Sequence, residues 1–187
     1  MTQPSKGILI VVVGPSGSGK DTLLSSAERY FSTNQRVQFV RRSITRPCDP
    51  KSEIHETESE ASFLQRQQRG DFSIWWRANG LYYGLPSSIH KDLERGQLLI
   101  ANGSRAAIDD FRLTFPSLAI VSITVSAAAL ATRLRNRGRE SAEQIESRLQ
   151  RTSQIGELSG GDVTTIDNSG ERAVAMSAFI ALVESHL

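Results

Sequence analysis

Glycines, hydroxyl residues and one lysine near the N-terminus are spaced as in a loop that binds phosphate. Residues 14–20 read Gly-Pro-Ser-Gly-Ser-Gly-Lys and match the first seven positions of the pattern G-x-x-x-x-G-K-[ST]. Backbone N–H groups of such a loop cradle an anion, the dipole of the following helix favours negative charge, and the lysine reaches the terminal phosphates. A glycine-rich turn that binds nothing is the alternative, which the flanking strand and helix patterns disfavour. The predicted ATP-binding residues of this segment are Gly14, Pro15, Ser16, Gly17, Ser18, Gly19, Lys20, Asp21 and Thr22.

The eighth position of the pattern departs from the rule. Asp21 stands where Ser or Thr normally offers a hydroxyl to Mg²⁺, and Thr22 supplies the next hydroxyl. A carboxylate is a hard oxygen ligand, so Asp21 could hold the metal directly or through a bound water. It could instead pair with Lys20 or cap the helix N-terminus. Both interpretations stay open, while Mg²⁺ itself is expected because it neutralises the charge of nucleotide phosphates.

Arginines and tyrosines further along the chain could bind a second phosphate-bearing molecule. Arg41, Arg42 and Arg46 lie near the end of a predicted strand, and Tyr82 and Tyr83 lie between two glycines. Guanidiniums bind phosphate in a planar, bidentate manner, and phenol hydroxyls can donate to the same oxygens. A solvated basic turn and two partly buried tyrosines are the alternative for either segment alone. Together with the loop, the two segments predict a site for a phosphate ester that accepts a phosphoryl group.

The positions of the charged residues along the chain are more informative than the net charge. The chain holds 18 arginines, 4 lysines and 20 acidic residues, so its net charge is only +2, and we expect no nucleic-acid partner. The excess of arginine suits phosphate binding, and a coding bias toward arginine is the alternative. Position favours function, because residues 133–151 hold six arginines against three glutamates.

The number of cysteines, the spacing of the histidines and the length of the apolar runs exclude several other classes of protein. Cys48 is the only cysteine, which excludes an internal disulfide framework and suits a reducing cytosol. The three histidines are dispersed without metal-ligand spacing. The longest apolar run, Ile8 to Val13, is too short to cross a bilayer, and residues 1–7 have no signal-peptide pattern. We therefore expect a cytoplasmic protein with no membrane partner.

Hydrophobic periodicity predicts the elements that position these residues. Buried-strand patterns alternate with helical patterns, which is typical of an α/β fold with a parallel sheet flanked by helices. A chain of 187 residues allows one domain, 1–187. The predicted strands are 8–13, 37–40, 72–76, 98–101, 118–123 and 163–166, and residues 43–58 are expected to be loop. Helices are predicted after the phosphate loop, after a capping box at Thr57 and Glu60, and at 87–95, 126–137, 142–154 and 171–186.

The motifs resemble the guanylate kinase family over nearly the whole chain. The resemblance rests on the phosphate loop, on Thr45-Arg46-Pro47, on residues 80–84 and on the arginine-rich stretch that begins at Arg133. It implies a P-loop nucleoside-monophosphate-kinase-like fold with an acceptor-binding insert at approximately 35–97 and an arginine-rich lid at approximately 133–151. It also implies catalytic roles for Lys20, Arg133, Arg137 and Arg148, and a place beside adenine for Asn168.

Departures from that family's pattern concern the recognition of guanine. Ile74 and the segment 101–106 stand where the family has acidic residues that read the base, and Asp49 replaces a phosphate-binding arginine. Guanine donors that face apolar or neutral groups would be left unpaired, at a cost of roughly 1–3 kcal/mol each. GMP is therefore disfavoured as the acceptor.

At the positions where it departs from guanylate kinases, the sequence resembles the ribose 1,5-bisphosphate phosphokinases of phosphonate breakdown. The shared motifs are GPSGSGKDTL, ITRP, a Ser-Glu-x-His segment from Ser52 to His55, WxANGLYYG, NGSRA and NRGRE. This resemblance implies transfer of the ATP γ-phosphoryl group to the 1-phosphate of ribose 1,5-bisphosphate, giving 5-phosphoribosyl 1-diphosphate (PRPP) and ADP. The expected substrate-binding residues are Arg42, Arg46, Tyr82, Tyr83, Asn102, Ser104 and Arg105.

Two other functions and one question of assembly stay open at this point. One alternative is a nucleoside monophosphate kinase with altered base preference. The other is a non-catalytic guanylate-kinase-like binding module, which Lys20 and the lid arginines disfavour because such a module has no use for them. The sequence also leaves open whether the protein forms a homodimer.

Overall fold

The computed structural model describes residues 7–47, 54–138, 141–153 and 158–187. A single turn of 3-10 helix at Arg105–Ala107 precedes the fourth helix. In chain order the strands and α-helices are β1 (Ile8–Val13), α1 (Lys20–Tyr30), β2 (Val37–Val40), β3 (Ser43–Ile44), β4 (Glu56–Thr57), α2 (Glu60–Gln68), β5 (Phe72–Ala78), β6 (Leu81–Pro86), α3 (Ile89–Glu94), β7 (Leu98–Asn102), α4 (Ile108–Thr114), β8 (Leu118–Thr124), α5 (Ala127–Arg137), α6 (Ala142–Ser153), β9 (Val163–Asp167) and α7 (Arg172–Glu184).

Five strands form a parallel sheet in the order β2-β7-β1-β8-β9. β1 lies at its centre because it is the most apolar run, and every residue of β1 after Ile8 is buried. Apolar side chains cover both faces, with Phe111 in the core cluster on one side and Phe179 in the cluster on the other. This confirms the predicted α/β fold with helices on both faces of a parallel sheet. The carboxyl ends of β1, β7 and β8 meet at one edge, so the segments that follow them lie close together.

A second, smaller sheet has the order β4-β3-β6-β5. Its main part is an antiparallel hairpin of β5 and β6 across the Asn79-Gly80 turn, where φ is 51° and 75°. Positive φ at both residues is typical of a type I′ turn, as the Asn-Gly pair predicts. Trp76 is buried, whereas Trp75 is 42% exposed, because successive side chains of a strand point to opposite faces.

Three local predictions were wrong or incomplete. The stretch 43–58, expected to be loop, contains β3 and β4, which pair over two residues only and therefore leave no periodic pattern in the sequence. Helix α2 is capped by Ser59, whose hydroxyl accepts from the Ser62 N–H at 3.2 Å, and Thr57 belongs to β4 instead. The strand β6 and the helix α4 were not predicted. No helix within the described ranges is both long and apolar enough to cross a membrane.

Candidate active site

The phosphate-binding loop joins the end of β1 to the start of α1, as its sequence pattern requires. Gly19 is the N-cap of α1 and has a φ of 87°. A Cβ atom at Gly19 would collide with the side chain of Asn168. Glycine is therefore required here by the left-handed backbone and by the close approach of a second segment.

The carbonyl group of Ser18 is held by two side chains that are distant in sequence. The Asn168 amide donates from Nδ2 to this oxygen at 2.6 Å, and the Arg133 guanidinium donates to it at 3.3 Å. Arg133 also donates to the carbonyl oxygen of Asn168 at 2.6 Å. Ser18 and Asn168 are buried, so these bonds fix the back of the loop. The predicted lid arginine and the predicted adenine neighbour thus both contact the protein backbone.

Asp21 interacts with groups from both sides of the site. Its Oδ1 atom accepts from Lys20 Nζ and from Asn102 Nδ2, each at 3.2 Å. Burial by itself raises the pKa of the Asp21 carboxyl, but the Lys20 ammonium, the Arg42 guanidinium and the Asn102 amide outweigh it and hold the pKa below its ordinary value. Asp21 is therefore an anion at neutral pH. The pairing with Lys20 that the sequence left open is present, and the helix cap is Gly19 instead.

A cavity of about 590 Å³ is bordered by the phosphate loop, the smaller sheet and the segment after β7. The structure therefore brings the predicted nucleotide loop and most of the predicted acceptor residues to one place. The residues predicted from sequence that line it are Gly14, Pro15, Ser16, Gly17, Gly19, Lys20, Asp21, Thr22, Arg42, Arg46, Tyr83, Asn102, Ser104 and Arg105.

The two tyrosines lie on opposite faces of β6. Tyr83 lines the cavity, whereas Tyr82 packs against Phe63 with ring centroids 5.5 Å apart. The contact of Tyr82 with the acceptor stays a prediction. Because Tyr83 lines the cavity and Tyr82 does not, Tyr83 is better placed to contact the acceptor. Sequence reasoning missed Trp76, which pairs with Tyr83 across the hairpin and also lines the cavity. The two-residue alternation of β5 could have found it.

Arg46 is positioned by the short strands β3 and β4. The imidazole Nε2 of His55 lies 3.3 Å from the Arg46 carbonyl oxygen and 3.4 Å from Thr57 Oγ1. His55 is only 8% exposed and does not line the cavity. Next to Arg46, the hydroxyl of Thr45 accepts from the Tyr82 N–H at 2.9 Å. These contacts hold the Arg46 backbone at the edge of the cavity.

Asn102 and Arg105 reach the cavity from the carboxyl end of β7. Asn102 is the last residue of that strand and is buried, while Arg105 donates to the Ser122 hydroxyl at 3.1 Å. Burial lowers the pKa of the Arg105 guanidinium from its ordinary value. A cation that has lost part of its hydration is attracted more strongly to an anion, because the local dielectric constant is low. Arg105 is thus suited to bind phosphate.

The region predicted to be the lid contacts the phosphate loop through Arg148. Arg148 on α6 donates to the Ser16 hydroxyl at 3.0 Å. Apolar contacts among Leu130, Leu134 and Ile145 join α5 to α6. Arg137 is the last residue of α5, and its side chain lies outside the described part of the structure. Of the three predicted lid arginines, Arg148 therefore lies against the open side of the loop.

Comparison with known proteins identifies the family. The ribose 1,5-bisphosphate phosphokinase PhnN of Rhizobium etli is 43% identical over 182 residues, which cover 97% of this chain and 92% of the relative. The protein of the same name from Agrobacterium fabrum is 45% identical over 162 residues, which cover 87% of this chain and 88% of the relative. The chain belongs to the ribose 1,5-bisphosphate phosphokinase family. This confirms the resemblance that the sequence motifs indicated, although no protein-family model matches the chain.

The fold of this ribose 1,5-bisphosphate phosphokinase family member is shared with guanylate kinases. The guanylate kinase of Anaplasma phagocytophilum superposes with a TM-score of 0.67 at 14% identity, covering 97% of this chain and 86% of that chain. At this identity the likeness shows the fold alone. Asn102 and Arg105 line the cavity, whereas Ile74, at a position where guanylate kinases are expected to read the base, is buried in the hydrophobic core and does not line it.

Proposed function

We propose that this family member transfers the γ-phosphoryl group of ATP to the 1-phosphate of ribose 1,5-bisphosphate, giving PRPP and ADP. The observation that carries the proposal is the charge of the cavity. Three guanidiniums and the Lys20 ammonium line it, and Asp21 is the single carboxylate among its described lining residues. A sugar with two phosphates matches such a lining. Asp21 belongs to the phosphate loop side, and the lining residues of the smaller sheet and of the segment after β7 include no carboxylate, so a purine bound there would leave its N–H donors without an acidic partner.

The chemistry needs positioning and charge stabilisation more than proton transfer. An oxygen of the acceptor 1-phosphate attacks the γ-phosphorus, the bond to the β,γ-bridging oxygen breaks, and ADP leaves with that oxygen. A phosphate monoester is mostly ionised at neutral pH, so no general base is required. Lys20 and the loop N–H groups stabilise the charge on the β- and γ-phosphates. Exclusion of water from the cavity strengthens each of these interactions.

The acceptor phosphates are bound by residues from the smaller sheet and from the segment after β7. Arg46 and Tyr83 hold the 1-phosphate at the edge of the smaller sheet. Arg105 and Asn102, from the end of β7, bind the rest of the acceptor together with Arg42. Arg46 and Tyr83 lie within the acceptor-binding region predicted at approximately 35–97, whereas Asn102 and Arg105 lie beyond it in the single domain 1–187.

The lid at approximately 133–151 supplies further positive charge from the opposite side. Arg148 already contacts Ser16 of the phosphate loop, so it can meet the transferring phosphoryl group without a large movement. Arg137 is assigned to the same phosphates. Arg133 and Asn168 act through the Ser18 carbonyl group, by holding the loop in the conformation that binds the nucleotide.

A divalent metal fits the donor set beside the loop. Mg²⁺ in kinases is held by one or two carboxylates together with phosphates of the substrate, and Asp21 is an ionised carboxylate at the start of α1. Asp21 and the Thr22 hydroxyl would hold it, and its chemistry there would be to neutralise charge on the β- and γ-phosphates.

The single cysteine supports a cytoplasmic location for the enzyme.

A coupled assay tests the proposed function. Purified protein receives ATP, Mg²⁺ and one acceptor at a time, with ribose 1,5-bisphosphate, GMP and AMP compared, while ADP release is recorded. We expect ADP release with the sugar bisphosphate alone, and one PRPP formed for each ADP by phosphorus NMR. The Lys20→Met variant is the matched control and should lose at least about 100-fold in rate.

Two outcomes would contradict the proposal. Turnover of GMP or AMP without turnover of the sugar bisphosphate would identify a nucleoside monophosphate kinase. No ADP release with any acceptor, together with weak or absent ATP binding, would favour a non-catalytic module.

A further inference from the structure

The wall of the cavity formed by the smaller sheet is a pair of stacked aromatic rings. The rings of Trp76 and Tyr83 lie with centroids 5.6 Å apart and an angle of 5° between their planes. The guanidinium carbon Cζ of Arg42 lies 5.0 Å from the centroid of Tyr83 and 5.8 Å from that of Trp76. A guanidinium over an aromatic face is attracted by the ring quadrupole. Arg42 is therefore held on a platform rather than extended into solvent.

The platform is rigid because it is packed from behind. Trp76 is only 6% exposed and contacts Phe111 of α4, with ring centroids 5.7 Å apart. Trp76 and Tyr83 are also direct partners in the register of the hairpin, so the backbone fixes their spacing. Close packing of this kind leaves few alternative rotamers. A cation held by such a platform loses little further conformational entropy when it binds a ligand.

Arg42 follows β2 and lines the cavity. It also borders a small cleft of about 60 Å³, together with Asp21, Leu24 and Glu28 of α1, and no residue of the phosphate loop from Gly14 to Lys20 borders that cleft. The phosphate that accepts the γ-phosphoryl group has to lie near Lys20 and the loop. Arg42 is thus placed for the other end of the acceptor.

We infer that Arg42 binds the 5-phosphate of the acceptor and thereby makes the site specific for a sugar bisphosphate, with Trp76 as its positioning residue. This inference rests on the proposed function. Stacking occupies the faces of the guanidinium, while its N–H donors lie in the plane and can bind phosphate oxygens in a bidentate manner. A nucleoside monophosphate presents an uncharged base at this position, so it offers Arg42 no second phosphate charge.

Binding measurements on a pair of acceptors test the role of Arg42. Dissociation constants of ribose 1,5-bisphosphate and of ribose 1-phosphate are measured by titration calorimetry, with a nonhydrolysable ATP analogue present. Arg42→Met should weaken binding of the bisphosphate by about 100-fold and that of ribose 1-phosphate by less than about 3-fold. Arg36→Met is the matched control, because Arg36 is exposed and lines neither the cavity nor the cleft, and it should leave both constants unchanged.

The role of Trp76 is tested by two variants that differ in the aromatic face. Trp76→Leu should weaken binding of the bisphosphate by roughly 2- to 30-fold and leave that of ribose 1-phosphate unchanged, whereas Trp76→Phe should restore selectivity for the bisphosphate. A merely structural role would change both acceptors equally. Equal losses for the two acceptors in Arg42→Met would overturn the inference. Because binding is measured without turnover, that result is distinguishable from failure of the proposed function, which the ADP assay decides.

Discussion

Replacing Arg133 tests whether this residue holds the phosphate loop or only contacts the substrate. Its guanidinium donates to the carbonyl oxygens of Asn168 and Ser18, at 2.6 and 3.3 Å. A hydrogen bond from a charged donor contributes about 1.5–3 kcal/mol. The longer bond contributes less, because Ser18 keeps the donor from Asn168 when Arg133 is removed. Arg133→Met should therefore lower the free energy of unfolding by about 2–4 kcal/mol, or the Tm by about 5–15 °C.

Urea denaturation of the protein without nucleotide measures this loss directly. The matched control is Arg135→Met, the same substitution two residues further along α5 at an exposed position, which should change the free energy of unfolding by less than about 0.5 kcal/mol. ATP affinity should fall in Arg133→Met as well, because the loop is less well held. Wild-type stability in Arg133→Met, combined with a loss of about 10³-fold in kcat, would refute the reasoning and assign Arg133 to the transferring phosphoryl group alone.

Three further predictions concern the lid, the loop carboxylate and the packing of the smaller sheet. Arg148→Met should lower kcat by about 10³-fold while urea denaturation shows a change in stability below about 0.5 kcal/mol. The pKa of Asp21 lies below its ordinary value of 3.8, so its ionised form stabilises the fold at neutral pH and this contribution is lost as the pH falls. The free energy of unfolding of Asp21→Asn should therefore depend less on pH below about pH 4 than that of the wild type. The Asp21→Asn variant should also need more Mg²⁺ to reach its maximal rate of phosphoryl transfer. Gly84→Ala should cost about 1–3 kcal/mol in thermal unfolding, because its Cβ would lie 2.7 Å from Phe72 Cδ1, whereas Gly161→Ala, with open space around it, should be neutral.

Much of the fold was predictable because its signals are local. The run from Ile8 to Val13 is continuous and β-branched, and such a run is typical of a strand buried on both faces. The Asn79-Gly80 pair predicts a two-residue turn because both residues tolerate positive φ. The strands β3 and β4 could not be predicted in this way. Each has two residues, and their pairing depends on contacts between segments that are 13 residues apart.

The sequence by itself determined the family, and it predicted the chemistry of the phosphate loop. Gly14 to Lys20 and the motifs that follow occur in fixed order, and a backbone anion cradle depends on residue type at consecutive positions. The skew toward arginine also pointed to phosphate. Residue types at known spacing are sufficient for inferences of this kind, because the groups that bind the anion belong to one short segment.

Only the tertiary structure decided what each side chain contacts. It placed Arg133 and Asn168 on the Ser18 carbonyl group, and it placed Tyr83 rather than Tyr82 on the cavity wall. It also set Arg42 on the Trp76 ring, which no motif indicated. The physical reason is that these contacts join segments 34 to 150 residues apart, so their geometry follows from how the two sheets and the lid pack together.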